Sequence, residues 1–265
     1  MNAQDTSKQP DITIFRGWKE TGKHVWSPYV VKLEARLRFA GVRYTTDVGS
    51  PKSAPRGKIP YIELRDPSSA SPLLLSDSGL IIKNLIERGT LPDLNDRLGP
   101  AERSHDVALR ALLEEKLYFY HSHERWIQNY YTMRDHALWS IPYPVRVLVG
   151  MLVYRNITAT LHGQGTGRFT ADEIAAFRFE IWEGLNALLV ASRSKHKNGN
   201  SGPFWALGGD HPTEVDTCLF AFIVSLLIST ASPDSQKTIR AFPVLLDYAG
   251  RIHDQYFPDY EKWTV

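Results

Sequence analysis

The sequence predicts a small α/β domain of element order β-α-β then β-β-α, followed by a larger all-helical domain. Three observations carry this reading. Strand-type and helix-type runs alternate over the first ninety residues, a stretch rich in proline and glycine follows at 90–100, and the remainder reads as helical patterns. The expected organisation is a disordered tail at 1–10, the α/β domain at 11–89, a linker at 90–100 and the helical domain at 101–265.

Ile12-Thr13-Ile14-Phe15 is a short strand run bounded by Gly17. In the stretch after Trp26-Ser27-Pro28-Tyr29, Val30, Val31, Leu33, Leu37 and Ala40 keep near-helical spacing, while Lys32, Glu34, Arg36 and Arg38 take the other faces. Ser27 suits the N-cap, Pro28 the first helical position and Gly41 the stop. Val42 to Val48 reads as a second strand, parallel to the first through a right-handed crossover.

Gly57-Lys58-Ile59-Pro60 leads into the strand Tyr61-Ile62-Glu63-Leu64, with proline at its mouth. A turn rich in Asp, Pro and Ser before Leu73-Leu74-Leu75 predicts a hairpin. Ser76-Asp77-Ser78-Gly79 then opens an apolar helix, Leu80 to Ile86, with polar residues suited to capping.

Beyond the linker, Ala101 to Tyr131 is a long helical pattern with Leu109, Leu112, Leu113 and Leu117 on its apolar side. Thr170 to Glu173 begins another helix, running to about Ser192 and followed by a polar stretch to Ser201 expected as an exposed loop. Thr213 and Asp216 form a capping arrangement before a strongly apolar run. That run, Cys218 to Ile228, is about half the roughly 20 residues needed to cross a bilayer. It and Val145 to Val153 are expected as buried helices.

Composition excludes some function classes. Hydrophobic content of 43%, charged content of 23% and a net charge of +2 are those of an ordinary globular chain, with no pull toward nucleic acid or an anionic membrane as main partner. The lone cysteine, Cys218, forbids an internal disulfide and fits a reducing, cytoplasmic setting. The polar start MNAQDTSKQP lacks a signal-peptide core. His121 and His123 do not share a helical face, and no further ligand cluster supports a metal.

The order strand, Ser-Pro helix start, strand, Lys-Ile-Pro-Tyr-Ile, hairpin and Asp-Ser helix opening resembles the thioredoxin-like glutathione-binding domain of glutathione transferases. The Thr213–Asp216 cap is similar to the helix-capping motif of their C-terminal domain. SPYVVKLEARLRFAGVRY, GKIPYIEL, LHGQGTGRF and FPDYEKW further resemble the failed-axon-connections and metaxin branch. That branch commonly carries a cysteine at the first helix, where this chain has Val30-Val31.

The resemblance implies the glutathione transferase fold, a detoxifying activity and a homodimer. It implies that Ser27 faces the glutathione sulfur, that Ile59 with a cis Pro60 pairs with the tripeptide backbone, and that Asp77 and Ser78 grip its γ-glutamyl group. Ser27, Asp77 and Ser78 are also plain helix caps, and Lys58 either pairs with a glutathione carboxylate or is simply solvated. Trp26, Tyr118, His121, Arg125 and Tyr130 are candidates to line the pocket of a small hydrophobic electrophile, with packing as their alternative fate. The implied activity is conjugation of reduced glutathione or its use as a reductant. The alternatives are a non-catalytic interaction or ligand-carrier module and a metaxin-like import component, which lacks a membrane span here.

Overall fold

A computed structural model describes residues 10–66, 69, 71–195 and 202–264. The expected disordered tail, apart from Pro10, and the loop after Lys195 lie outside these residues. The elements run β1 (Asp11–Phe15), α1 (Pro28–Phe39), β2 (Thr45–Asp47), β3 (Tyr61–Arg65), β4 (Leu73–Ser76) and α2 (Ser78–Glu87). Helices follow: α3 (Pro100–Ala111), α4 (Tyr118–His123), α5 (Tyr130–Ala137), α6 (Tyr143–Gln164), α7 (Ala171–Lys195), α8 (Glu214–Leu227), α9 (Pro233–Arg240) and α10 (Pro243–Tyr256). The second strand is shorter than its sequence run: only Thr45–Asp47 pairs with β1.

The sheet order is β2-β1-β3-β4, with β2 parallel to β1 and the β1–β3 and β3–β4 pairs antiparallel. Alternation puts Ile12, Ile14, Ile62 and Leu64 on one face. Leu33 and Leu37 of α1 and Ile81, Ile82 and Leu85 of α2 cover that face in one hydrophobic cluster. On the other face Phe15 and Tyr61 stack at 4.3 Å between ring centres. A side chain at Gly49, whose φ is +60°, would collide with the Phe15 side chain and the Tyr61 hydroxyl, so the backbone passes close to both there.

A larger core joins Val30, Val31 and Ala35 of α1 to the whole of α8 and to α10. Every residue of α8 is buried. Its N-terminus is held by Asp216, which accepts from the Thr213 amide (2.8 Å) and hydroxyl (3.0 Å), the Ala206 amide (2.7 Å) and the Tyr248 hydroxyl (2.8 Å). Burial pushes this carboxyl up to about 6 against the pull of those donors.

Two expectations about faces are corrected. Lys32, Glu34 and Arg36 of α1 are buried, because α1 lies between the sheet and the helical domain and has no solvent side over that length. The run Val145 to Val153 is helical, but Val145, Leu148, Met151 and Leu152 are exposed, and only Gly150 and Leu161 of α6 are buried. Periodicity reports a helix's apolar positions, not what covers them.

The long pattern from Ala101 is also not one uniform α-helix. Two π-helical segments, Leu112–Leu117 and Glu124–Gln128, interrupt it. It breaks at Asn129, whose amide and side-chain amide both donate to the Glu124 carbonyl.

Candidate functional site

Ser27 has extended backbone (φ −80°, ψ 114°) at the N-cap of α1, with Pro28 at the first helical position. Its carbonyl accepts from the Val31 amide, yet its side chain makes no capping hydrogen bond. The hydroxyl therefore stands at the positive end of a twelve-residue helix with no partner among the described residues.

The approach to Ser27 is braced from below. Arg16, almost wholly buried, donates to the Glu20 carbonyl at 2.8 Å and to the Lys23 carbonyl, and its Nε lies 3.2 Å from Glu34. Arg125 fixes the residue before Ser27: its Nη1 donates to the Trp26 carbonyl at 2.9 Å. Its other donors reach Ser232 Oγ (2.8 Å) and the Ser225 carbonyl (2.9 Å). All these Arg125 bonds are internal, and burial pulls its guanidinium down to about 10.

The Ile59–Pro60 bond is cis and immediately precedes β3. Ile59 lies beside Gly17, which takes a positive φ of +85° at the end of β1. Lys58 is exposed. At the mouth of α2, Asp77 adopts φ +78°, uncommon for a residue with a side chain, and its Oδ1 accepts from the Gly79 amide (3.1 Å) and the Leu80 amide (3.2 Å). Its Oδ2 has no partner among the described residues, and Ser78 is buried as the first residue of α2.

The five candidate pocket residues are not brought to one wall. Trp26 stacks on His136 at 3.5 Å and 13°, with Trp18 on the same imidazole at 5.2 Å. Tyr118 packs against Tyr29 of α1, 5.1 Å between centres. His121 is buried, with Nδ1 3.1 Å from Ser235 Oγ, and burial pulls it down to about 4. Glu124, held down to about 2 by His121, Arg178 and Ser235, anchors the amides of Asp234 and Ser235 in the same network. Tyr130 lies on α5 against Tyr154 of α6 and carries Arg134 over its ring. His121 and Arg125 thus join the frame behind the site.

Trp18, His136 and Trp139 were missed by sequence reasoning. Trp139 Nε1 donates to the Gly17 carbonyl at 3.1 Å and Trp18 Nε1 to the His136 carbonyl at 3.4 Å, tying the end of α5 to the loop that leads to Ser27. The one local signal was Trp18 directly after Gly17; no spacing rule joins residues 118 positions apart.

Among the described residues no group of histidines, cysteines and acids is arranged to hold a metal ion, and no helix is long and apolar enough to cross a membrane.

Comparison with known proteins agrees with the geometry. Residues 28–133 match the family model described as Glutathione S-transferase N-terminal domain. The chain is 26% identical over 260 residues to Failed axon connections of Drosophila melanogaster. The alignment covers 89% of this chain but 56% of that protein, so the chain spans about half the length of this curated relative. A glutathione transferase from Phanerochaete chrysosporium superposes with a TM-score of 0.58 at 18% identity, over 98% of this chain and 100% of that one. A glutathione transferase family member from Pseudomonas fluorescens, solved with two glutathione bound, gives a TM-score of 0.55 at 15% identity, over 97% and 94% of the two chains. The chain therefore carries the glutathione transferase fold; residues 28–133 are similar to the glutathione S-transferase N-terminal domain, and in sequence the chain resembles Failed axon connections.

Proposed function

We propose that this chain binds reduced glutathione at the N-terminal end of α1 and transfers its sulfur to small hydrophobic electrophiles, or spends it as a thiol reductant. The observation that carries this reading is the Ser27 hydroxyl, free of capping duty at the positive end of α1. Free thiols near pKa 8.5 are mostly protonated at neutral pH. A hydroxyl donor and a helix N-terminus both favour the thiolate, and a shift of about two pKa units corresponds to roughly 2.7 kcal/mol. In conjugation the sulfur lone pair forms the new S–C bond while the leaving group departs with its electron pair.

In this reading Ile59, at the cis peptide, pairs with the tripeptide backbone. The free Oδ2 of Asp77 takes the γ-glutamyl ammonium, Ser78 its carboxylate, and Lys58 the remaining carboxylate. Trp26 and Tyr118 border the electrophile, whereas His121 and Arg125 position the frame. With Val30-Val31 in α1 there is no protein thiol at the start of that helix, so thiol–disulfide exchange is disfavoured relative to conjugation. The proposal includes a cytoplasmic homodimer. The glutathione bound in the Pseudomonas fluorescens structure supports the choice of ligand.

A second reading, a non-catalytic interaction module, is favoured by the exposed apolar residues of α6 and by the likeness to Failed axon connections. Calorimetry with glutathione on the wild type and Ser78→Ala, and turnover of 1-chloro-2,4-dinitrobenzene by the wild type and Ser27→Ala, separate the two. Binding that weakens with Ser78→Ala and turnover that falls with Ser27→Ala support the enzyme. No wild-type binding at millimolar glutathione removes it and leaves the module.

A further inference from the structure

We propose that the His136 imidazole stands in for a substrate ring: it fills an aromatic slot beside Ser27, which a planar, electron-poor aryl electrophile enters only by displacing it. His136 is then a specificity-determining residue, and this role rests on the glutathione reading of the Ser27 end of α1.

Two indoles line the slot. Trp26 stacks on the imidazole at 3.5 Å between ring centres and 13° between planes, and Trp18 stacks on the same ring at 5.2 Å and 23°. All three rings are half-buried, so the slot is open to solvent at one side. Trp26 directly precedes Ser27, and neighbouring Cα atoms are about 3.8 Å apart, so an aryl group on a sulfur held at Ser27 is placed to reach that indole. Trp18 directly follows Gly17, which lies beside Ile59 at the cis peptide. Both arms of the proposed glutathione site, Ser27 and Ile59, thus adjoin one wall of the slot each.

Stacking alone holds the imidazole in place. Its Nε2 is buried with no hydrogen-bond partner among the described residues, a costly state that ends when the ring swings into water. Burial pulls the group down to about 4, so it stacks as a neutral ring at pH 7.

The backbone beneath the ring is tied down separately. Trp18 Nε1 donates to the His136 carbonyl at 3.4 Å, Trp139 Nε1 to the Gly17 carbonyl at 3.1 Å, and Arg146 Nη2 to the Trp139 carbonyl at 3.1 Å. Displacement is therefore the rotation of one side chain, with the end of α5 left where it is.

The slot sorts electrophiles by shape and electron demand. Indole faces are electron-rich, so a flat electron-poor ring gains more from them than the imidazole does. An alkyl electrophile has no such gain and leaves His136 stacked.

The test compares S-(2,4-dinitrophenyl)glutathione, S-methylglutathione and glutathione by calorimetry on the wild type, His136→Ala and His136→Phe. His136→Ala is expected to bind the dinitrophenyl conjugate about tenfold more tightly, with the other two ligands shifting less than about twofold. His136→Phe refills the slot and returns to wild-type affinity or below. In the wild type, the His136 Cε1–H proton signal, moved upfield by the two indoles, is expected to shift downfield when the dinitrophenyl conjugate binds and to stay when S-methylglutathione binds. Unchanged or weaker binding of the conjugate by His136→Ala, an equal gain for all three ligands, or an upfield signal retained in the conjugate complex overturns the proposal while glutathione binding leaves the site reading standing. No glutathione binding by the wild type removes both.

Discussion

Arg36 Nε donates to Glu214 Oε1 at 2.7 Å, joining the middle of α1 to the first residue of α8 with both side chains almost out of water. The same guanidinium also donates to the Pro92 carbonyl, and the Glu214 amide donates to Asn95 Oδ1 at 3.0 Å. The connection from α2 to α3 is thereby pinned between the two halves of the fold. Glu214→Gln leaves a buried cation without its counter-charge and is expected to lose about 3–5 kcal/mol in urea unfolding. The double variant Arg36→Met, Glu214→Leu recovers most of that loss. A double-variant cost equal to the sum of the two single-variant costs would show the pair to be uncoupled.

Asp216 is expected to tolerate little. Asp216→Ala removes the cap of α8 and strands two amides and two hydroxyls in the core, a loss of about 3 kcal/mol or more. Thermal melts of Asp216→Ala and Asp216→Asn check this, the amide retaining part of the network. A change below about 0.5 kcal/mol for Asp216→Ala would contradict the structure.

Ser27 and Asp77 look alike in sequence, as polar residues opening helices, but they predict opposite stability results. Ser27→Ala is expected to shift stability by less than about 0.5 kcal/mol, since no cap bond is lost. Asp77→Ala loses two backbone partners and costs about 1 kcal/mol. Denaturant curves of the pair, beside their glutathione kinetics, separate chemistry from folding.

Acid is expected to destabilise the fold through its buried imidazoles. His24 Nε2 lies 3.1 Å from His253 Nδ1, among Phe257, Tyr260 and Trp263. Burial, then the charge of His253, pulls His24 well down, and burial also lowers His253. His121 and His136 are pulled down to about 4. A histidine with a depressed folded pKa binds fewer protons folded than unfolded. The imidazoles' contribution to stability is therefore full above about 6.5 and falls as pH drops from there toward the folded values, while the raised Asp216 carboxyl acts in the opposite sense. Melting points between pH 7.5 and 5 measure the slope, and His24→Gln should flatten it.

Cys218 is fully buried, and burial pushes its thiol up to about 12. Ellman's reagent is expected to find no thiol in the native protein and one in guanidinium. Rapid native reaction would mean that α8 opens.

Much of the site's framework was legible locally. Ser27-Pro28 starts α1, Pro60 precedes β3, Asp77 caps α2, and Thr213 with Asp216 caps α8, because each depends on contacts within about four residues. The strand runs at β1 and β3 were legible, but which of their residues α1 and α2 cover was read only from the structure.

What the sequence by itself determined is therefore the list of elements, their caps and the type of each half, since hydrogen bonding and periodicity act over one or two turns. Only the tertiary structure decided that Lys32, Glu34 and Arg36 are core ion-pair partners, that Arg125 and His121 face inward and that the apolar stripe of α6 stays uncovered. It alone also joined Trp26 to His136 and Trp18. A charged or apolar side chain states what its surroundings must offer. Which element supplies them is set by packing, in most of these cases across more than eighty residues of chain, and no local pattern encodes it.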